Sequence, residues 1–408
     1  MKTRRVIWYL SKYAMSPNDA NVGHRGHYLI KGLQDLGDTV YIINSNSYNK
    51  IRKRTLKKIY NFRNLDKVKY LTINTTHYKK SFSFKRIWSW IEFEIKLFAA
   101  PLNKLKNPDY IIVSSLSLLT IINGILIKLR YNCKLIFEIR DIWPLSLMEY
   151  KGYKKYNPII IFLRIIEFFG YLFSDKIIGT MPLLSMHVKS IIGDDSKVNT
   201  IPIGFSLKQK QFNNKIKDKT INDFLNDKKI TITYIGSIGL SNNLDSFFEV
   251  IKNLEKNKKV NFLIIGDGEL KDKYINKYGY LENVAICNPI KKKYVNNVLS
   301  RSDILYLSLS KNKIWDYGQS LNKMVDYMLS ARPIVASYSG YKTMINESNC
   351  GEFVEVDNVL ELEKKLIKFS KLSKNERNEI GMKGKQWLYK NRSYDKLAKK
   401  YSKIIDSI

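Results

Sequence analysis

Short apolar runs alternate along most of the chain with segments whose apolar residues recur at helical spacing. The first example is an apolar run at 6–10, a polar loop, a helical segment at 24–36 and another apolar run at 39–44. Runs of that length are typical of buried strands, and three-to-four spacing is typical of helices packed on a sheet. Strand–helix–strand units build parallel sheets. We therefore predict an α/β fold.

The alternation stops once, over residues 206–229, where the chain is polar and rich in Lys and Asn. Such a segment between two alternating halves is typical of a linker. We predict a first Rossmann-like domain over residues 1–205, a second over 230–385, and a final helix over 386–408 that returns to the first domain. The 408 residues suffice for two hydrophobic cores.

Residues 317–337 place a loop, an amphipathic helix and a buried strand in succession, and the helical spacing starts near Asn322. Unpaired N–H groups and the positive end of the helix dipole favour an anion at that first turn, where Lys323 adds a charge. Asp326, one turn further on, can accept hydrogen bonds from the vicinal hydroxyls of a ribose. The alternative is an exposed Lys323–Asp326 pair.

Three other strands end in residues suited to a ligand crevice, because ligands bind at the carboxyl ends of parallel strands. The run KLIFEI is followed by Arg140 and Asp141, which are candidates for holding a phosphate and an acceptor hydroxyl. Their alternative is a surface ion pair. The run ITITYI leads into a turn with Gly236, Ser237 and Gly239, whose backbone N–H groups can face a pyrophosphate. The run VNFLII leads to Gly266 and Gly268, which would let a base approach.

The chain is strongly basic, with 70 Lys and Arg against 37 Asp and Glu and a formal charge of +33. This indicates polyanionic partners such as nucleic acid, anionic lipid or phosphorylated substrates. The abundance of Lys, Asn and Ile also fits an AT-rich genome. Three separated cysteines favour a reducing compartment, and four scattered histidines form no metal cluster.

Residues 50–106 interleave basic and aromatic side chains, which suits an anionic membrane surface, with an interfacial helix near 84–98 within the stretch 79–106. The same mixture could bind single-stranded nucleic acid, or form a core helix with a solvated basic face. Residues 158–173 are also apolar, but Arg164 and Glu167 favour a helix against a sheet or membrane surface over a span.

Two apolar segments are candidates for a signal peptide or a membrane span. The apolar run at 6–10 is too short for a signal peptide. Residues 110–127 carry no charge and are long enough for a candidate span. Their polar break at Ser114 to Ser117 instead predicts a buried strand followed by a helix.

The run SLNKMVDYMLSARPIVAS and the run RDIWP resemble glycosyltransferase family four, and within it the bacterial O-antigen and capsule branch that includes the N-acetyl-L-fucosamine transferases. Asp326 takes the second glutamate position of the family motif, while Gly318 stands at the first and removes a contact to the donor sugar. Gly318, Ser320, Asn322 and Lys323 fit the Gly-x-Ser-x-Asn-Lys run of that branch.

The resemblance implies a GT-B fold, with two Rossmann-like domains facing across a cleft. It implies retaining transfer of a sugar from a nucleotide donor to a lipid-linked saccharide, with a UDP-sugar as the expected donor and UDP-N-acetyl-L-fucosamine as one candidate. The resemblance implies that no cofactor is needed, because cationic side chains and helix termini take the place of a metal ion. The expected location is cytoplasmic, on the inner face of the bacterial plasma membrane.

The resemblance also assigns roles to residues. Asp141 and Arg140 would be catalytic, and Gly23 and Arg25 would line the acceptor side of the cleft. The donor site would contain Gly236, Ser237, Gly239, Gly266, Gly268, Asn322, Lys323 and Asp326. The partners expected are a nucleotide sugar, a lipid-linked acceptor and an anionic membrane, without nucleic acid. Two alternatives remain open: a GT-B epimerase of UDP-sugars, and a nucleic-acid-binding protein.

Overall fold

A computed structural model gives the structure of the protein and describes residues 5–19, 24–47, 58–78, 83–115, 117–207 and 214–408. The chain forms two compact units, Met1–Ser206 with Ser393–Ile408 and Leu207–Arg392. Each unit has a sheet of parallel strands covered by helices, so the predicted α/β class is confirmed.

The first unit contains an eight-stranded sheet in the order β3-β4-β2-β1-β5-β6-β7-β8. Its strands are β1 (Val6–Leu10), β2 (Thr39–Ser45), β3 (Tyr60–Leu65), β4 (Val68–Ile73), β5 (Tyr110–Ser114), β6 (Lys134–Ile139), β7 (Lys176–Gly179) and β8 (Val198–Thr200). The described strands pair in parallel except β3, which is antiparallel to β4. Neither strand of this hairpin was predicted. Edge strand β3 is half exposed and has no apolar run, and β4, although mostly buried, lies within the basic and aromatic stretch 50–106 that was interpreted as a binding surface.

Among the described residues, six α-helices of the first unit precede the second unit in the chain. They are α1 (Arg25–Asp35), α2 (Phe84–Phe98), α3 (Thr120–Tyr131), α4 (Leu145–Lys151), α5 (Pro158–Phe173) and α6 (Leu184–Ile192). Strand β5 and helix α3 occupy residues 110–127, which confirms the predicted strand and helix there. In the described part of the chain, no helix combines the length and the apolar character needed to cross a membrane.

The second unit contains a six-stranded parallel sheet in the order β11-β10-β9-β12-β13-β14. Its strands are β9 (Ile230–Ile235), β10 (Val260–Ile265), β11 (Val284–Cys287), β12 (Ile304–Ser308), β13 (Ile334–Ser337) and β14 (Gly351–Val354). Its helices are α7 (Lys219–Asn226), α8 (Asp245–Asn253), α9 (Lys271–Tyr278), α10 (Lys292–Arg301), α11 (Asn322–Leu329), α12 (Ile345–Ser348), α13 (Val359–Lys371) and α14 (Lys374–Asn391). Helix α7 lies within the segment expected as a linker.

The chain returns to the first unit at Ser393, which caps α15 (Tyr394–Ile405) by accepting a hydrogen bond from the backbone of Lys396. Arg5, which precedes β1, links α15 to the rest of the first unit. Its guanidinium pairs with Asp406 at the end of α15 at 2.6 Å and with Asp38 before β2 at 2.7 Å. The chain therefore enters the first unit at Ser393, later than residue 386, where the returning helix was expected to begin. Helix α14 stays in the second unit, although its last residues, from 386 to 391, had been expected to belong to the helix that returns to the first.

Candidate donor site

The second sheet reverses its winding between β9 and β12. From β9 the chain runs outward through β10 to β11, then crosses to the other side of β9 and continues through β12, β13 and β14. In open α/β sheets, ligands bind at the carboxyl ends of the strands where the order reverses. The loop after β9 holds Gly236 to Gly239, and the segment after β12 leads into α11.

Lys323 reaches from the first turn of α11 to the loop after β9. Its ammonium donates hydrogen bonds to the side-chain oxygen of Asn242 at 3.0 Å and the hydroxyl of Tyr234 at 3.2 Å. A Cβ added to Gly236 would lie 2.6 Å from Nζ of Lys323, so a larger residue there would displace the ammonium from its present position. Two residues predicted for the donor site are thus in contact.

The charge of Lys323 has no acidic partner among the described residues, where its bonds go to neutral oxygens. Burial lowers the pKa of Lys323 to about 7, because it disfavours the charged form. Leu321 precedes the helix and has no polar group with which to cap the first-turn N–H groups. A cation and an uncapped helix start therefore lie together at the predicted anion site.

Alternate backbone N–H groups of the loop after β9 donate hydrogen bonds to the end of β10 and the loop that follows it. Gly236 N donates to Ile265 O at 3.0 Å, and Ile238 N donates to Asp267 O at 2.9 Å. The intervening amides of Ser237 and Gly239 make no hydrogen bond to the described residues. These two amides remain available for an anion, as predicted from the turn.

Gly266 and Gly268 let the loop after β10 pack directly on the loop after β9. A Cβ on Gly266 would lie 1.8 Å from the carbonyl oxygen of Gly236, and one on Gly268 would lie 2.2 Å from that of Ile238. Backbone fills the space beside both glycines. Their sequence signal is therefore explained by loop packing, and their contact with a base stays a prediction.

Asp326 lies one turn into α11 and forms an ion pair with Lys292 of α10. The two side chains are 30% and 43% exposed, so the carboxylate remains accessible. The alternative of a Lys323–Asp326 pair is wrong, because Lys323 turns toward Tyr234 and Asn242 instead. Asn322, at the start of the helix, is exposed.

Gln319 is 2% exposed, in the segment between β12 and α11. Neither its amide nitrogen nor its amide oxygen has a hydrogen-bond partner among the described residues. An unpaired buried amide costs about 1–3 kcal/mol, so such groups are commonly satisfied by a ligand or water. Gln319 follows Gly318, the position where the resembling family has its first glutamate.

Arg140 and Asp141 follow β6 of the first unit, as predicted. Asp141 accepts hydrogen bonds from the indole of Trp143 at 3.1 Å and from the hydroxyl of Ser146. Burial raises the pKa of Asp141 above its usual value. The Nε of Arg140 is buried without a partner in the described part of the chain. The two side chains do not pair there, so the surface ion pair is not formed.

Arg25 is 3% exposed at the start of α1. Its guanidinium donates to the carbonyl oxygens of Ile201 at 2.8 Å and Pro202 at 2.5 Å, and pairs with Glu138 at 3.4 Å. This arrangement ties α1 to the ends of β6 and β8 within the first unit, and a role in a cleft stays a prediction. Gly23 lies outside the described residues.

Four residues of this region were not predicted from the sequence, namely Tyr234, Asn242, Lys292 and Gln319. Asn242 lies close behind the predicted glycine turn, and Gln319 lies beside Gly318, so both positions carried a weak signal. Lys292 stands in a run of three lysines that gives no reason to choose one. Its pairing with Asp326 depends on the packing of α10 beside α11.

The comparison with known families concerns the second unit. Residues 229–371, from β9 to α13, match the family model described as Glycosyl transferases group 1. That segment contains Lys323, Asp326, Gln319 and the glycine loops. This part of the chain is therefore similar to the group 1 glycosyl transferases. No curated protein matches the sequence at a significant level.

Solved structures match the whole chain. Sucrose-phosphate synthase from Thermosynechococcus elongatus has a TM-score of 0.71 and 13% identity, and covers 99% of both chains. An E. coli structure described as trehalose-6-phosphate bound with UDP-2-fluoro glucose has a TM-score of 0.74, 12% identity and 99% coverage of both. Anabaena HepE in complex with UDP and glucose has a TM-score of 0.64, 11% identity, and coverage of 99% of this chain and 100% of that one. These likenesses confirm the predicted GT-B fold.

Proposed function

We propose that the protein is a glycosyltransferase that moves a sugar from a UDP-sugar to a lipid-linked saccharide. The observation that carries this proposal is Lys323, a cation at the start of α11 that contacts the loop after β9 and has no acidic partner among the described residues. A nucleotide diphosphate would supply the missing negative charge. The UDP bound in the HepE structure and the UDP-sugar in the E. coli structure support a uridine nucleotide.

The diphosphate would lie between Lys323, the first-turn N–H groups of α11 and the amides of Ser237 and Gly239. These groups stabilise the charge that develops on the leaving diphosphate as the glycosidic bond breaks. This is the work that a divalent ion performs in other transferases, so we propose that the reaction needs no metal. Asp326 would accept hydrogen bonds from the ribose hydroxyls, with Lys292 holding its carboxylate in position.

The sugar of the donor would satisfy the buried amide of Gln319. Gly318 removes the glutamate contact that the resembling family makes here, and Gln319 places an amide donor and acceptor at the neighbouring position. In the first unit, Asp141 would accept a hydrogen bond from the acceptor hydroxyl, and Arg140 would bind a phosphate of the acceptor. We propose retention of configuration at the anomeric carbon.

The acceptor and the setting follow from the sequence resemblance. We propose that the acceptor is a lipid-linked saccharide of bacterial O-antigen or capsule synthesis, that UDP-N-acetyl-L-fucosamine is a candidate donor, and that the protein works in the cytoplasm at the inner membrane face. The charge of +33 supports a phosphorylated, membrane-held substrate.

The first test is protection by nucleotides against heat unfolding. UDP at a hundred times its Kd should stabilise the folded chain by about 2.7 kcal/mol, and uridine should do much less. Lys323→Met should lower UDP affinity by about tenfold to a hundredfold through loss of a charge-assisted bond. Lys364→Met, at an exposed position of α13, is the matched control and should bind UDP normally.

The second test is transfer itself. Purified protein, a panel of UDP-sugars and membrane lipid extract should yield a labelled lipid product without added metal ion. Asp141→Asn should reduce turnover while leaving UDP protection intact. Equal protection by UDP and uridine would contradict the donor site. Salt-sensitive oligonucleotide binding without UDP binding would favour a nucleic-acid-binding protein, and sugar epimerisation without an acceptor would favour the epimerase.

A further inference from the structure

Helix α5 is apolar on both faces. Its inner face is buried and includes Ile160, Leu163 and Ile166. Its outer face repeats large apolar side chains at helical spacing, each between 39% and 55% exposed: Ile159, Ile161, Phe162, Ile165, Phe168, Phe169, Leu172 and Phe173. A helix that is apolar all round is normally covered by protein or lipid. The outer face of α5 therefore lacks its expected cover.

Two neighbouring helices extend this surface. Helix α3 contacts both α5 and α2. It exposes Ile122, Leu126 and Leu129, and α2 exposes Phe84, Ile87, Trp88, Ile91, Ile95 and Phe98. We call the exposed side chains of these three helices the apolar face. Soluble monomers seldom expose a contiguous apolar area beyond a few hundred Å², so a surface spanning three helices indicates a binding site.

The acidic residues of these helices are held on the inner side. Glu94 of α2 accepts hydrogen bonds from Thr120 at 2.6 Å and Asn123 at 2.8 Å. Glu167 of α5 accepts from the hydroxyl of Tyr171 at 3.0 Å and lies 2.7 Å from the imidazole of His187. The third, Glu92, pairs with Lys96 at 2.5 Å. Each carboxylate is therefore engaged within the first unit.

Each of the three helices also has an exposed basic residue. Lys85, Arg130 and Arg164 are exposed on α2, α3 and α5. The segment that leads into α5 adds further exposed groups: Lys151, Tyr153, Lys154, Lys155 and Tyr156. Long basic side chains can lie along apolar surface while their charges reach a polar boundary, and tyrosines prefer the same boundary. The apolar face is thus bordered by positive charge.

We propose that the apolar face inserts into the surface of a bilayer that contains anionic phospholipids, with α5, α3 and α2 lying in the interface. An interfacial helix combines an apolar side with a cationic border, as these three do. At 16 residues, α5 is shorter than the roughly 20 residues that a spanning helix needs. A second copy of this chain would bring the same cations to the contact, so charge favours lipid over self-association.

Binding to a bilayer would give the proposed transferase access to a lipid-linked acceptor. This role of the apolar face rests on the proposed function. The evidence for lipid binding is independent of the donor site, since it lies in α2, α3 and α5. The two inferences can therefore fail separately.

Sedimentation with vesicles tests the surface. The full-length protein should pellet with phosphatidylcholine vesicles that contain phosphatidylglycerol, and less with phosphatidylcholine alone or at high salt. Phe162→Ser with Ile165→Ser should lower the partition coefficient by about tenfold for each apolar side chain removed. The control, Ile275→Ser with Leu360→Ser, changes two exposed apolar residues of the second unit and should leave it unchanged.

Three results would overturn the proposal. The wild type could remain in the supernatant with anionic vesicles, the two double variants could bind them equally, or sedimentation velocity could show a lipid-free dimer that Phe162→Ser with Ile165→Ser dissociates. UDP protection against unfolding is measured in parallel for each variant. Loss of vesicle binding with UDP protection retained concerns the apolar face alone, whereas loss of UDP protection with vesicle binding retained concerns the donor site alone.

Discussion

The ammonium of Lys323 donates a hydrogen bond to the side-chain oxygen of Asn242 at 3.0 Å, which joins the start of α11 to the loop after β9. The contact links residues that follow β12 and β9, two neighbouring strands separated by two others in the chain. It places the positive charge at the winding reversal of the second sheet, where nucleotide ligands bind in open α/β folds.

Nucleotide binding should depend on pH through Lys323. Burial lowers the pKa of this lysine to about 7 in the free protein, and a bound diphosphate should raise it. UDP binding above pH 7 should then take up a proton, and UDP affinity should fall as the pH rises toward about 9. Calorimetry at pH 8 in two buffers of different ionisation enthalpy measures the uptake. Lys323→Met should abolish it, and an uptake that persists in this variant would contradict the assignment.

The same lysine affects the stability of the free protein. The unfolded chain binds a proton at Lys323 up to about pH 10.5, whereas the folded chain releases it near 7. The free energy of unfolding should therefore rise with pH across this window in the wild type, compared with Lys323→Met. Urea unfolding at several pH values measures the difference.

Gly266→Ala should destabilise the second unit. Its Cβ would lie 1.8 Å from the carbonyl oxygen of Gly236, so the backbone of one loop must move. We expect a loss of about 1–3 kcal/mol in the free energy of unfolding, together with weaker UDP binding. Gly239→Ala is the control, since its Cβ would lie 3.4 Å from the nearest atom and should cost less than about 0.5 kcal/mol. Equal losses in chemical denaturation would contradict this account of loop packing.

Gln319→Leu should separate stability from sugar binding. Removal of an unpaired buried amide should leave the free energy of unfolding unchanged or raise it by about 1 kcal/mol. UDP affinity should stay the same, whereas binding of the UDP-sugar and transfer should weaken. Thermal unfolding and competition between UDP and the UDP-sugar measure the three quantities. A destabilised variant with normal sugar transfer would show that Gln319 is structural.

Glu94→Gln should change the pH dependence of stability. Burial raises the pKa of Glu94 from 4.5 to about 7, so the folded chain holds a proton that the unfolded chain has lost. The stability from Glu94 is complete below pH 4.5 and is lost as the pH rises through 7. The Gln variant should lack this decline. Glu92 contributes with the opposite sign, since hydrogen bonds from Lys96 and Thr76 outweigh burial and lower its pKa. The stability from Glu92 is lost as the pH falls, and Glu92→Gln should lack that loss.

Much of the fold could be predicted because the burial of each helix or strand determines how its apolar residues are spaced along the sequence. Strand β10 (Val260–Ile265) is buried at every position, and all of its residues except Asn261 are apolar. Helix α11 (Asn322–Leu329) begins where its helical spacing begins. The exception, β3 (Tyr60–Leu65), lies at a sheet edge with side chains partly in solvent, so its composition resembles that of a loop.

The sequence by itself determined the alternating strands and helices, the two halves of the chain, and the presence of Lys323 and Asp326 on one helix. It did so because these properties depend on neighbours within a few residues. The tertiary structure alone decided that Lys323 meets Asn242 and that Asp326 pairs with Lys292. Among the described residues, it also leaves Gln319 buried without a partner and the outer face of α5 uncovered. These contacts depend on strand order and helix packing, which bring together residues far apart in the chain.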